Sequence, residues 1–131
     1  FHGNYDAVVL QHTAHPMGDL ELMAKWGRKL IGWVREAGAR PILYMTWTTR
    51  EDGEAAQESM SNAYLALQRE TSCEVAPVGQ NWWNYHREHP ETELYAADGQ
   101  HASEAGSRLA AATIAEVYLQ RKLLVINGSF S

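Results

Sequence analysis

Tyr5-Asp6-Ala7-Val8-Val9-Leu10-Gln11 carries the first decision about the fold. Its apolar, β-branched centre does not alternate with polar residues, which marks a strand buried on both faces of a parallel sheet. A parallel strand reaches its neighbour only through a crossover, and the next residues supply one. Pro16 suits a first helical turn, and Leu20, Met23, Ala24, Gly27, Leu30, Ile31 and Val34 recur at three- and four-residue spacing. Gly38 is a good residue to end that helix and Pro41 prevents its continuation. The alternation then repeats. Ile42 to Thr46 reads as a second strand, Glu54 to Glu70 as a second helix, and Cys73 to Val78 as a third strand. Gln80 to His89 reads as a short helix or ordered loop. Ser103 is placed to cap a last helix from about Glu104 to Leu119. Leu123-Leu124-Val125-Ile126 reads as a fourth strand. Strands alternating with helices predict an α/β three-layer sandwich with a mostly parallel sheet.

Composition sets the outer limits. The chain has 131 residues, enough for a single α/β domain over residues 1–131 with one core. A net charge of -5, with no basic run, argues against nucleic acid or an anionic membrane as the main partner. Cys73 is the one cysteine, so no internal disulfide forms, and a core role suits it better than a nucleophilic one. No apolar stretch is long enough to span a bilayer. The chain opens on Phe1 and not on Met, as a trimmed or mature chain does, and both cytoplasmic and secreted locations stay open.

The chemistry concentrates in Asp98-Gly99-Gln100-His101, followed by Ala102-Ser103-Glu104-Ala105-Gly106. An acid and a histidine three residues apart in a short loop can meet. A carboxylate bonded to Nδ1 fixes the imidazole tautomer and makes Nε2 the proton-accepting nitrogen. The same residues also suit a plain turn before a helix. Gln11 leaves the first strand at its carboxyl end, where open α/β sheets hold their ligands, and can donate its side-chain amide to an oxyanion or satisfy loop backbone. Trp47 leaves the second strand and can wall a sugar site or pack internally. His12 and His15, or His86 and His89, have the spacing of metal ligands. No cysteine or acidic cluster accompanies them, so loop and solvated-face histidines are the simpler reading.

Asp6 to Gln11, Tyr44 to Trp47, Ala76 to Gly79, and Leu94-Tyr95 followed by Asp98 to Ser103 and Gly106 occur in an order and spacing that resembles the SGNH/GDSL hydrolase superfamily, in its carbohydrate-esterase-like branch. The resemblance spans roughly residues 5–119. It implies a flavodoxin-like sheet and serine-esterase chemistry on a small ester or acylated carbohydrate, with no metal or organic cofactor. It assigns His101 as general base, Asp98 as its orienting partner and Gln11 as an oxyanion-hole donor. Trp47 and Thr13 would face the substrate, Thr13 being the other residue able to serve the oxyanion.

The block that carries the family's serine nucleophile is not found before the first strand. Leu123 to Ser131 looks like that block displaced to the other end, with Ser129 as the nucleophile of a circularly permuted molecule. Asn127-Gly128-Ser129 is equally a glycosylation sequon. The sheet is therefore expected to be incomplete or circularly permuted. An incomplete sheet would be finished by self-association or by a partner chain. The competing function is a non-catalytic carbohydrate-binding or interaction module, with Trp47, Trp82 and Trp83 as the contacts.

Overall fold

The computed structural model describes residues 5–12 and 19–127, with side chains through residue 120. Three parallel strands lie in the order β1 (Ala7–Leu10), β2 (Arg40–Tyr44), β3 (Glu74–Ala76). Ala7 is in register with Arg40 and Ile42 with Glu74. Helix α1 (Leu20–Glu36) joins the first pair and α2 (Gly53–Thr71) the second. Helix α3 (Val78–Glu88) follows β3 directly, and α4 (Glu104–Asn127) closes the described residues.

Local chemistry explains where these elements start and stop. Asp19 caps α1 by accepting from the N–H groups of Glu21 at 2.9 Å and Leu22 at 3.2 Å. Pro16 lies outside the described residues. Gly38 ends the helix at φ +80°, a conformation that costs a residue with a Cβ. Strand β2 begins at Arg40, earlier than the sequence suggests, so Pro41 lies within it. The missing N–H is tolerated because Pro41 pairs only with Val8, one residue before the pairing of β2 with β3 begins at Ile42. Ser103 caps α4, its hydroxyl oxygen accepting from Gly106 N–H.

Consecutive residues of β2 face opposite layers. Leu43 and Met45 pack with Met23 and Ile31 of α1 and with Met60, Tyr64 and Leu67 of α2. Ile42 packs with Ala76 and Ala110, flanked by Leu109, Ile114 and Val117 of α4. Each fully buried aliphatic side chain of these layers contributes about 1.5–3 kcal/mol. Cys73 is a core residue, its thiol donating to the Pro41 carbonyl at 3.3 Å; burial pushes that thiol's pKa up. Arg40 ties α4 to the sheet. It pairs with Glu74 and donates to the carbonyls of Val117 at 2.9 Å and Tyr118 at 3.1 Å.

The expected fourth strand is overturned. Leu123 to Ile126 belongs to α4, which runs unbroken to Asn127. A short apolar run does not distinguish strand from buried helix, and Gln120-Arg121-Lys122 contains no glycine or proline to stop the preceding helix. A permuted molecule completed by a C-terminal strand is therefore not what this chain forms. Ser129 itself lies outside the described residues.

The sheet is open along β1. Among the described residues β1 pairs only with β2, although both of its faces are apolar. Val9 is 44% exposed and Tyr5 57% exposed beside it. A groove lined by Tyr5, Ala7, Val9, Ile42, Ile114 and Tyr118 runs along this edge. A strand with two apolar faces on an open edge is a strong template for pairing with another segment.

Candidate active site

All three strands point their carboxyl ends to one edge of the sheet, and the segments leaving that edge build the site. Residues 95–102 form a small loop closed by a bridge between Tyr95 and Ala102. Inside it Gly99 adopts φ +69°, and the Ala96 N–H donates to the His101 carbonyl at 2.8 Å. Asp98 organises the turn. Its Oδ1 accepts from the backbone N–H groups of Gln100 and His101, both at 2.9 Å, and its Oδ2 is hydrogen-bonded to His101 Nδ1. The His101 side-chain bond, reinforced by these two N–H donors, holds the Asp98 carboxyl well below the usual carboxylate range. Both side chains are open to solvent, His101 at 74% and Asp98 at 45%.

The segment leaving β2 supports this loop from below. Trp47 donates its indole N–H to the Gln100 carbonyl at 2.8 Å, and the Arg50 N–H donates to the Gly99 carbonyl at 2.9 Å. The Trp47 ring stacks on Trp82 with centroids 4.2 Å apart, and Trp82 meets Tyr95 edge-on at 5.1 Å. Tyr95 donates its O–H to the Thr48 carbonyl at 2.6 Å. Gln57 of α2 braces the same segment, accepting from Thr48 N–H at 2.8 Å and donating to the Thr46 carbonyl at 3.0 Å. Beside Asp98 a groove of about 490 Å³ is lined by Thr49, Arg50, Glu51, Asp52 and Gln100.

No protein-family model matches the chain, and no curated protein matches it. Among solved structures it is similar to a protein from Slackia heliotrinireducens described as "a putative SGNH hydrolase". The two align with a TM-score of 0.75 and 30% identity, over 89% of this chain and 67% of that one. The chain belongs to the SGNH hydrolase family.

Within this SGNH-family chain, the structure brings Asp98, His101 and Trp47 together. Gln11 is exposed at the end of β1 on the same edge of the sheet. It lines a separate apolar pocket with Leu10, His12, Trp26, Leu43 and Tyr64. Thr13 and His15, like Ser129, lie outside the described residues. Trp82 is completely buried and cannot contact a ligand. Trp83 is half-buried and donates to the Thr48 hydroxyl at 3.2 Å. His86 packs edge-on against Trp83, and His89 lies over Tyr85.

Sequence reading missed the supporting roles of Gln57, Thr48 and Arg50. It quoted Tyr95 and Gly106 only as part of the resemblance, and the structure gives a physical reason for that glycine. A Cβ there would lie 2.3 Å from the Leu94 carbonyl oxygen and 2.6 Å from the Trp82 ring. The first turn of α4 can therefore press directly against the base of the loop.

Tyr95 has its own pH signature. Burial pushes its phenol from 10.0 up to about 12. A folded-state value above the unfolded one means that the stabilisation is complete below pH 10 and is lost as pH rises through about 12. Tyr95→Phe should cost about 1 kcal/mol at neutral pH, the worth of the hydrogen bond to Thr48. It should also flatten the alkaline loss of stability in denaturant unfolding. Equal alkaline slopes for the two proteins would remove Tyr95 from this account.

Proposed function

We propose that this SGNH-family chain is an ester hydrolase that removes a small acyl group, with acetyl on a carbohydrate as the leading substrate class. One observation carries the reading: an ionised carboxylate bonded to imidazole Nδ1 at the carboxyl edge of a parallel sheet. In this reading Asp98 fixes the tautomer and stabilises the imidazolium. His101 Nε2 takes the proton of a serine hydroxyl as the serine oxygen bonds to the acyl carbon, and gives it to the departing alcohol. Water then attacks the acyl-serine by the same route in reverse and releases the acid. Gln11 donates its amide to the oxyanion. The polar lining of the groove beside Asp98 supports an alcohol rich in hydroxyls. The chemistry calls for no metal or organic cofactor.

The serine is one carried by a strand that pairs along the open edge of β1, from this polypeptide or from a partner. A parallel strand there would end beside Gln11. The test combines turnover of an aryl acetate with labelling by a fluorophosphonate and peptide mapping of the labelled serine. Turnover with a burst, lost in His101→Ala, is the expected result, and the map names the serine. Undiminished turnover in His101→Ala overturns the assignment of the base. Binding of an acetylated sugar with no turnover of any ester would favour the non-catalytic module, a reading that the complete burial of Trp82 does not support.

A further inference from the structure

The bonds inside the Asp98–His101 loop set its shape, not its place. Asp98 Oδ1 with the Gln100 and His101 N–H groups, and the Tyr95–Ala102 bridge, would persist if the loop shifted as a body. It is held over the sheet edge at its base by the Tyr95 O–H bond to the Thr48 carbonyl, and beside the Asp98–His101 pair by two donors from the segment leaving β2: the Trp47 indole N–H to the Gln100 carbonyl, and the Arg50 N–H to the Gly99 carbonyl. The Trp47 donor is the more strongly oriented of the two. Its ring lies within 5° of parallel to Trp82, which is completely buried. Trp82 is in turn wedged against Tyr95, whose O–H returns to the Thr48 carbonyl next to Trp47. The indole plane, and with it the direction of the N–H, is fixed by the core. The carbonyl it holds belongs to the residue immediately before His101.

We propose that Trp47 is a positioning residue of this site. Its N–H docks the Gln100 carbonyl on the β2 exit and thereby sets the reach of the His101 imidazole toward the substrate. The consequence for rate rests on the ester-hydrolase reading above; the consequence for loop docking rests on geometry alone. A misplacement of about 1 Å at a site of this kind costs up to roughly a hundredfold in rate.

Trp47→Phe keeps an aromatic face on Trp82, removes the donor and trims the larger indole ring. Hydrogen exchange followed by NMR should show the Arg50 amide, which spans the docking contact, exchanging roughly tenfold faster. The Gln100 and His101 amides, bonded within the loop to Asp98, should keep their rates. On an aryl acetate, kcat should fall roughly tenfold to a hundredfold with KM nearly unchanged. An unchanged Arg50 amide, or an equal acceleration of all three amides, overturns the positioning role. So does an unchanged kcat in a protein that turns esters over. If the parent protein hydrolyses no ester, the hydrolase reading fails, and the exchange contrast still decides the role of Trp47. Should Trp47→Phe not fold, the parent protein provides the test. Its Trp47 indole N–H and Arg50 amide must share one opening event and show matching protection, and mismatched protection overturns the proposal.

Discussion

On the ester-hydrolase reading, Asp98→Asn should lower kcat by about 10³–10⁴-fold and leave the loop folded. The orientation of the new amide is the reason. Oδ1 of Asp98 accepts from two backbone N–H groups, Gln100 and His101. An asparagine must keep its carbonyl oxygen on those donors, because the reverse orientation sets an NH₂ against two N–H groups. Its NH₂ then faces His101 Nδ1, where Asp98 presents Oδ2. A donor at that position forces Nδ1 to accept and puts the proton on Nε2, so the imidazole can no longer act as the base. KM should change little, because the substitution alters the protonation pattern and not the groove. Asp98→Ala makes the contrast: it strips the acceptor from both backbone N–H groups, so loop order and turnover should fall together. The parent's pH profile supplies a second check. With its carboxyl held below the usual range by the His101 bond and the two N–H donors, Asp98 stays ionised as the solution becomes mildly acidic. Its stabilising contribution is present above the ordinary carboxylate range and is lost only as pH falls through the lowered folded value. A loss of less than tenfold in Asp98→Asn, at unchanged circular dichroism, would remove Asp98 from the proposed role.

The sequence carried the layers of this fold because each depends on a short-range period. Ala7 to Leu10 has the continuous apolar character of a parallel strand, and Met23, Ile31 and Val34 mark the buried stripe of α1. The Asp98–His101 pair was legible for the same reason, since a three-residue spacing within a turn leaves few arrangements open. What was not legible depends on distance along the chain. Nothing in Gln57 announces that it satisfies the backbone of Thr46 and Thr48, because that role exists only once α2 lies beside the β2 exit. Trp47 read equally well as a ligand wall or as packing; the structure shows it stacked on Trp82 and bonded to Gln100 at once. The one misassigned element, Leu123 to Ile126, is a stretch where composition favours a strand and only the absence of a helix breaker argues otherwise.

Gly79→Ala should destabilise the protein by about 3 kcal/mol or more, the upper end of the range for overpacking a core position. Gly79 is not needed for an unusual backbone angle; the need is for space. A Cβ there would lie 2.1 Å from the Thr46 carbonyl oxygen and 2.2 Å from Gln57 Nε2. Neither group can yield cheaply. The carbonyl belongs to the backbone, and the buried Gln57 side chain is committed to Thr46, Thr48 and Ser61. The start of α3 must therefore withdraw from the β2 exit, which breaks the bond from Gly79 N–H to the Met45 carbonyl and unsettles Thr46 to Thr48. Because Trp47 and the Thr48 carbonyl hold the Asp98–His101 loop, the damage passes to the site as well as to stability. Thermal unfolding should drop by roughly 10 °C or more. Gly32→Ala is the matched control: nothing lies within 4 Å of a Cβ there, and alanine in the middle of α1 should stabilise by about 0.5–1 kcal/mol. Equal melting temperatures for the two variants would mean that α3 does not press on the β2 exit as described. A double-mutant cycle sharpens the point. Gln57→Ala removes one of the two groups the new methyl meets, so Gly79→Ala should cost less on that background than on the parent. Strict additivity of the two substitutions would locate the strain elsewhere than at the contact between α3, Gln57 and the segment that positions the site.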